Sequence, residues 1–246
     1  MRPDLSVVIP AYNEETRLPV SLEALAVFLS GRKEPLSVDV VVVDDGSADR
    51  TAARAEEAGR RLGLSLRVVR FPENRGKGAA VRAGALAATG KEVLVSDADF
   101  STPIGEWEKL AAARVPVAIG SRAVDETLVK EPQPFYRVAM GKLFNLLVRL
   151  VAVPGIHDTQ CGFKLFSRDA AQAVFSLATV DRFAWDVEAL LLARKLGLPI
   201  AEIPVLWFDS PDSRVTLLRG AQAYLDVLRI RFRVSRTMKD SRRRRP

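Results

Sequence analysis

Three observations predict an α/β domain built on a mostly parallel central sheet with helices on both faces. β-branched apolar runs alternate with segments of helical spacing, each run ends in a polar cluster, and 246 residues with 48% hydrophobic content suffice for a large buried core. The first run is LSVVIPAY (5–12), followed by helical spacing over 14–29. SVDVVVVDD (37–45) is the second, and a helix is predicted over 49–62, with Asp49 as its cap. SLRVVRF (65–71), a helix over KGAAVRAGALAAT (77–89) and the strand KEVLVSDAD (91–99) continue the series. VPVAIGSR (115–122) reads as one more strand. A βαβαβαβ order makes right-handed crossovers and parallel pairing the natural outcome.

Composition narrows the class. One cysteine, Cys161, permits no internal disulfide, and no amino-terminal stretch combines a basic start, an apolar core and a small-residue cleavage site, so a cytoplasmic location is expected. Charged residues interrupt every apolar run before the roughly 18 residues that a membrane span needs. A net charge of +7 favours a polyanionic partner: nucleic acid, anionic lipid or nucleotide phosphate. Nucleic acid is not expected, because the basic residues do not alternate with aromatics and acidic clusters occupy the predicted ligand edge.

That edge lies beyond the carboxyl ends of the strands. Three polar clusters converge on it: PAYNEE (10–15), DDGSADRT (44–51) and DADFS (97–101). Asp44 and Asp45 precede Gly46, so a carboxylate there can accept from a base or ribose while the glycine turns the chain. A lone Asp after a strand caps a helix or closes a turn. The pair Asp97 and Asp99, behind two other polar strand ends, reads instead as a clamp for a hard divalent cation shared with phosphate oxygens. Lys77, in RGKG at a helix start, is either a phosphate contact or a solvated helix-end lysine. Cys161, Phe163, Leu165 and Phe166 read as core, and the lone His157 as a hydrogen-bonding residue. Asp186 and Glu188 lie in a predicted helix, where a site-facing carboxylate and a solvated one look alike.

VVIPAYNEE, VVVVDDGSADRT, NRGKGAAVRAG and DADFSTP, in this order, resemble the family 2 glycosyltransferases of GT-A fold. DTQCGFKLF (158–166), RFAWDVEAL (182–190) and IAEIPVLW (200–207) are similar to the branch that glycosylates dolichyl or polyprenyl phosphates, nearest its β-glucosyl members. The resemblance implies an inverting transferase that uses Mg²⁺ or Mn²⁺ to move a hexose, expected to be glucose from UDP-glucose, onto a lipid monophosphate. Carried over residue by residue, Pro10, Ala11, Tyr12 and Glu14 form one nucleotide-contacting loop and Asp44 and Asp45 the next. Asp97 would touch nucleotide or metal and Asp99 would ligate the metal. Ser101 stands where mannosyl relatives carry Gln. Arg122 and Arg137 match arginines on the acceptor side, Arg214 a basic residue on a loop over the diphosphate, and Asp158, Gln160 and Lys164 the motif that marks the branch. The familiar glycine of the diphosphate loop is replaced by Asp212.

A phosphate acceptor, with a second pKa near 6, is already dianionic at pH 7 and needs no protein base. Its lipid requires a membrane contact. Residues 134–156 are apolar around most of a helix, with Lys142, Asn145 and Arg149 as a polar stripe, and 218–246 form an amphipathic helix and a basic tail after a catalytic domain over 1–217. The expected location is the cytoplasmic membrane surface, held by anionic lipid. Two alternatives within the fold are GDP-mannose as donor and a polysaccharide or protein hydroxyl as acceptor; the latter would require Asp158 or Asp186 as base.

Overall fold

The computed structural model describes residues 2–130, 146, 148–150, 152–208 and 227–238. Seven strands form one sheet in the order β3-β2-β1-β4-β6-β5-β7. They are β1 (Leu5–Ala11), β2 (Val38–Asp44), β3 (Ser65–Arg70), β4 (Glu92–Val95), β5 (Val117–Ser121), β6 (Lys164–Ser167) and β7 (Ile200–Pro204). All neighbours pair in parallel except at β6, which runs against both β4 and β5. The helices are α1 (Arg17–Ser30), α2 (Thr51–Leu62), α3 (Lys77–Ala87), α4 (Trp107–Ala112), α5 (Arg168–Phe175) and α6 (Trp185–Lys195), and residues 227–238 are helical.

Strand alternation divides the core into two layers. Val40 and Val42 face one side with Val7, Ile9 and Leu94, packed under Leu18, Leu22 and Leu25 of α1. Val41 and Val43 face the other with Val8, Val93 and Val95, against Ala80 and Val81 of α3 and Leu190 of α6. Both faces are thus covered, as the near-continuous valine runs require. Val227, Ile230 and Val234 enter this second layer, so the described carboxy-terminal helix is joined to the domain's core.

The sequence places the first five strands and the three helices between the first four of them in this order, and does not anticipate α4; the boundaries differ for local reasons. α1 begins at Arg17, not near residue 14, because Asn13 adopts φ 56° and residues 13–16 form a loop. Pro19 fits the first turn of α1, where an N–H has no intrahelical acceptor. β4 stops at Val95, which frees Asp97 and Asp99 from the ladder. β6 was not expected as a strand. Entering the sheet antiparallel, it starts where β4 ends, with Lys164 paired to Val95. A chain segment therefore arrives at the ligand edge from the opposite direction.

Candidate active site

The first two polar clusters are stitched into one platform. Asn13 N–H donates to Ser47 Oγ (2.9 Å), Ala48 N–H to Asn13 Oδ1 (2.9 Å), Glu14 N–H to Thr51 Oγ1 (2.7 Å) and Glu15 N–H to Asp49 Oδ2 (3.2 Å). Asp49 also accepts from Thr51 N–H (2.9 Å), so its capping carboxylate ties both loops together. Pro10 and Ala11 are buried at the end of β1, whereas Tyr12 is exposed. Glu14 holds Arg17 Nε at 2.7 Å.

Asp44 and Asp45 divide their work. Asp44 accepts from Ser47 N–H (3.0 Å) and lines a cleft of about 390 Å³ with Gly46, Ser47, Asp49, Arg50, Arg70 and Phe71. Asp45 turns toward residues 74–76 and accepts from Asn74 Nδ2 (3.0 Å), Arg75 N–H (2.8 Å) and Gly76 N–H (2.8 Å). Burial raises its pKa against the pull of these donors. Its oxygens are engaged in shaping the entry to α3. There Gly76 has φ +109°, and a Cβ would lie 2.4 Å from the Asp181 carbonyl oxygen.

Lys77, the first residue of α3, meets Asp97 with Nζ 2.6 Å from Oδ1. Burial opposes both charges, but each sustains the other: the Lys77 pKa is raised and that of Asp97 lowered. The Asp97 side chain keeps 38% of its surface exposed, so water screens the pair. Asp99 accepts from Ser101 N–H (3.0 Å), and its Oδ2 lies 3.9 Å from Arg17 Nη1, beyond hydrogen-bond reach. Asp97 and Asp99 offer the hard oxygen donors that Mg²⁺ and Mn²⁺ take. No cluster of three His, Cys, Asp or Glu able to hold a metal forms among the described residues.

Asp97 rests on the turn before β6. A Cβ at Gly162 would lie 2.2 Å from Asp97 Oδ2, so only glycine permits this approach. The same turn carries Asp158, fully buried and paired bidentately with Arg122: Nε to Oδ2 at 2.7 Å, Nη2 to Oδ1 at 3.0 Å. Arg122 and Gln160 N–H groups add bonds of 3.0 and 3.1 Å. Burial alone raises the Asp158 pKa, but the guanidinium overrides it and takes it to about 2; the Arg122 pKa is raised in return. Trp207 supports the Arg122 guanidinium at 5.3 Å from its ring centroid.

Lys164 is fully buried, donates to the Cys161 carbonyl and lies 5.3 Å from the Trp185 ring centroid. Burial, reinforced by Asp158, raises the Cys161 thiol pKa, so this cysteine is a packed apolar group and not a nucleophile. Asp186, at the first turn of α6, is buried with Oδ1 lacking a hydrogen-bond partner, and burial raises its pKa despite Lys164 and Lys77. Glu188 instead binds Thr179 and Val180 N–H groups at 2.9 and 2.8 Å.

The fold thus brings Lys77, Asp97, Asp99, Arg122, Asp158 and Lys164 to one edge, with Asp186 beside them. Arg137, Lys142, Asn145, Asp212 and Arg214 lie outside the described residues. Sequence reasoning missed Asn13, Arg17, Gly162, Trp207 and Glu202. Glu202 Oε1 accepts from Asp158 N–H (2.7 Å) and its Oε2 meets His157 Nδ1 (3.0 Å), which gives His157 its hydrogen-bonding role. The signal for Asn13 was present, since Asn is favoured at positive φ before a helix; Glu202 had none, because its partners lie 44 and 45 residues away.

The glycosyl transferase family 2 profile matches residues 6–175. A dolichyl-phosphate beta-glucosyltransferase of Drosophila melanogaster is 42% identical over 226 residues, 87% of this chain and 69% of that protein. The Homo sapiens protein of the same description is 39% identical over 243 residues, 93% and 75% of the two chains. Among solved structures, glucosyl-3-phosphoglycerate synthase of Mycobacterium tuberculosis with Mn²⁺, UDP and phosphoglyceric acid superposes with a TM-score of 0.68 at 20% identity, covering 93% of this chain and 78% of that one. Its complex with Mn²⁺, UDP-glucose and glycerol 3-phosphate gives a TM-score of 0.65 at the same identity and coverage.

Proposed function

Because the chain belongs to glycosyl transferase family 2, and is thereby a glycosyltransferase, we propose that it moves glucose with inversion from UDP-glucose to dolichyl or another polyprenyl phosphate at the cytoplasmic membrane surface. The relatives' descriptions support the sugar and the acceptor, and the UDP-glucose complex of the structural neighbour supports the donor. The observation that carries the reading is the Arg122–Asp158 pair. A carboxylate engaged by a guanidinium and two backbone N–H groups is a poor proton acceptor, which fits a nucleophile that arrives ionised.

In this reading Asp158 orients Arg122, and the guanidinium edge that Asp158 leaves open, with 27% of the Arg122 side chain exposed, meets the acceptor phosphate. Arg137 and Arg214 are assigned to the acceptor and the diphosphate on their sequence match alone. Pro10, Ala11, Tyr12, Glu14 and Asp44 border the nucleoside, and Asp45 acts on it indirectly by shaping residues 74–76. Asp97 and Asp99 hold the Mg²⁺ or Mn²⁺, which when bound offsets charge on the departing diphosphate. Lys77 adds a cation once donor phosphates compete for it with Asp97. Alignment of the two substrates over this edge is the main catalytic contribution.

The unpartnered Asp186 oxygen favours a second reading, a hydroxyl acceptor with Asp186 as base. The test compares UDP-glucose with GDP-mannose, and a short-chain polyprenyl phosphate in detergent with free sugar acceptors. Transfer from UDP-glucose to the lipid phosphate is expected, with an acid limb that follows the phosphate near pH 6, and Asp99→Asn is expected to abolish its dependence on Mn²⁺. Preference for GDP-mannose would overturn the donor. Transfer to sugar hydroxyls with none to lipid phosphate would overturn the acceptor.

A further inference from the structure

The segment IAEIPVLW (200–207) stands out in the sequence, yet the proposed reaction gives it no task. β7 lies parallel to β5, with Glu202 opposite Ile119 and Pro204 opposite Ser121, and Arg122 follows Ser121 directly. This segment therefore runs beside the Arg122–Asp158 pair. It touches both members.

Glu202, with 10% of its side chain exposed, points its carboxylate at the turn before β6. Oε1 accepts from Asp158 N–H (2.7 Å), His157 N–H lies 3.0 Å from Oε1 and 2.8 Å from Oε2, and His157 Nδ1 lies 3.0 Å from Oε2. One carboxylate thus holds successive backbone N–H groups. A charge so nearly buried is unfavourable unless hydrogen bonds replace its water, so the carboxylate and these donors fix one another. At the far end of the segment Trp207 is 9% exposed. Its N–H donates to the Leu128 carbonyl (3.1 Å) and its carbonyl accepts from Lys130 N–H (3.0 Å), which pins the ring whose centroid lies 5.3 Å from the Arg122 guanidinium.

A bidentate pair tolerates little slip between its two planes. Arg122 presents its open edge in a fixed direction only while Asp158 holds the other edge, and the Asp158 carboxylate is no better placed than its own backbone. A strand paired in the sheet is a firmer reference than a turn. We propose that Glu202 and Trp207 are positioning residues for the acceptor side: Glu202 sets the backbone of Asp158, Trp207 backs the guanidinium, and together they aim Arg122 at the acceptor phosphate. The inference deepens the proposed transfer reaction and rests on it for the identity of the acceptor.

One arm of the test needs no turnover. The Arg122 Nε–H resonance of the full chain, identified by its absence in Arg122→Lys, should exchange with water about tenfold faster in Glu202→Ala than in wild type, and severalfold faster in Glu202→Gln. The other arm uses UDP-glucose, Mn²⁺ and a short-chain polyprenyl phosphate in detergent. Glu202→Ala should raise the acceptor KM about tenfold with kcat and the affinity for UDP and Mn²⁺ little changed, and Glu202→Gln, which keeps an oxygen for Asp158 N–H, about threefold. Trp207→Leu should raise it about threefold, and Trp207→Phe less, because a ring face remains. In an Asp158→Asn background Glu202→Gln should add nothing, since a residue acting through that carboxylate has no effect once it is gone. Should Glu202→Ala not fold, the Gln variant and its combination with Asp158→Asn decide. Unchanged Arg122 exchange, a loss of kcat or donor affinity in place of the KM rise, or KM effects that multiply in the double variant would each overturn the proposal. Faster Arg122 exchange in the variants, with no transfer by wild type to any lipid phosphate, would uphold the positioning role and remove the proposed reaction instead.

Discussion

Asp158→Asn tests whether the branch motif acts through an ion pair or through proton transfer. The native pKa is near 2 against an ordinary 3.8, so ionised Asp158 contributes about 2 kcal/mol at pH 7. Because the folded-state value is the depressed one, this stability is complete above about pH 5, about 1 kcal/mol near pH 3, and lost as pH falls through the native value. Asparagine also leaves the Arg122 guanidinium facing a neutral amide. Removing one partner of a fully buried pair costs about 3–5 kcal/mol, and the 27% exposure of Arg122 lets water reduce that. We therefore expect a loss of about 2–3 kcal/mol at pH 7 that shrinks markedly by pH 3, read by urea unfolding followed with circular dichroism. Turnover should fall mainly through a raised acceptor KM, with the acid limb of the pH profile unmoved. An equal loss at both pH values would refute the ion-pair argument, and abolished kcat with donor and acceptor binding intact would identify Asp158 as the base.

Two further outcomes follow from particular contacts. Gly162→Ala should displace the Asp97 carboxylate and weaken donor binding in Mn²⁺ severalfold while Tm changes little; calorimetric affinity equal to wild type would show that Asp97 does not depend on this approach. Asp186→Asn should hold or raise Tm at pH 7, because a carboxyl whose folded pKa is raised opposes folding once pH exceeds its unfolded value; a lower Tm at pH 7 that recovers in acid would contradict the unpartnered oxygen.

How far the sequence could be read depended on the range of the interaction. Valine runs such as 40–43 announce strands buried on both faces because period and composition are local properties, and the polar residues that follow them mark the ligand edge. Asp97, Asp99 and Lys77 were legible for the same reason. The pairing of Lys77 with Asp97 was not, nor was the turn of Asp45 toward residues 74–76, since both join segments 20 or more residues apart. The direction of β6 was hidden as well: a four-residue strand carries too little pattern to reveal its sense. Asp158 was legible as a motif residue but not as the partner of Arg122, because a carboxylate's role is set by what faces it.

The reversed strand β6 constrains how such an enzyme can diversify. Through the turn that leads into it, residues 158–164 touch Arg122 at one end and cradle Asp97 in the middle, so under the proposed roles specificity for the acceptor and grip on the donor would be inherited as one block. A graft that exchanges acceptor-side residues while ignoring this turn would disturb both substrates at once. Chimeras should be cut before Ile156 and after Ser167, with the residue at 97 exchanged along with the insert.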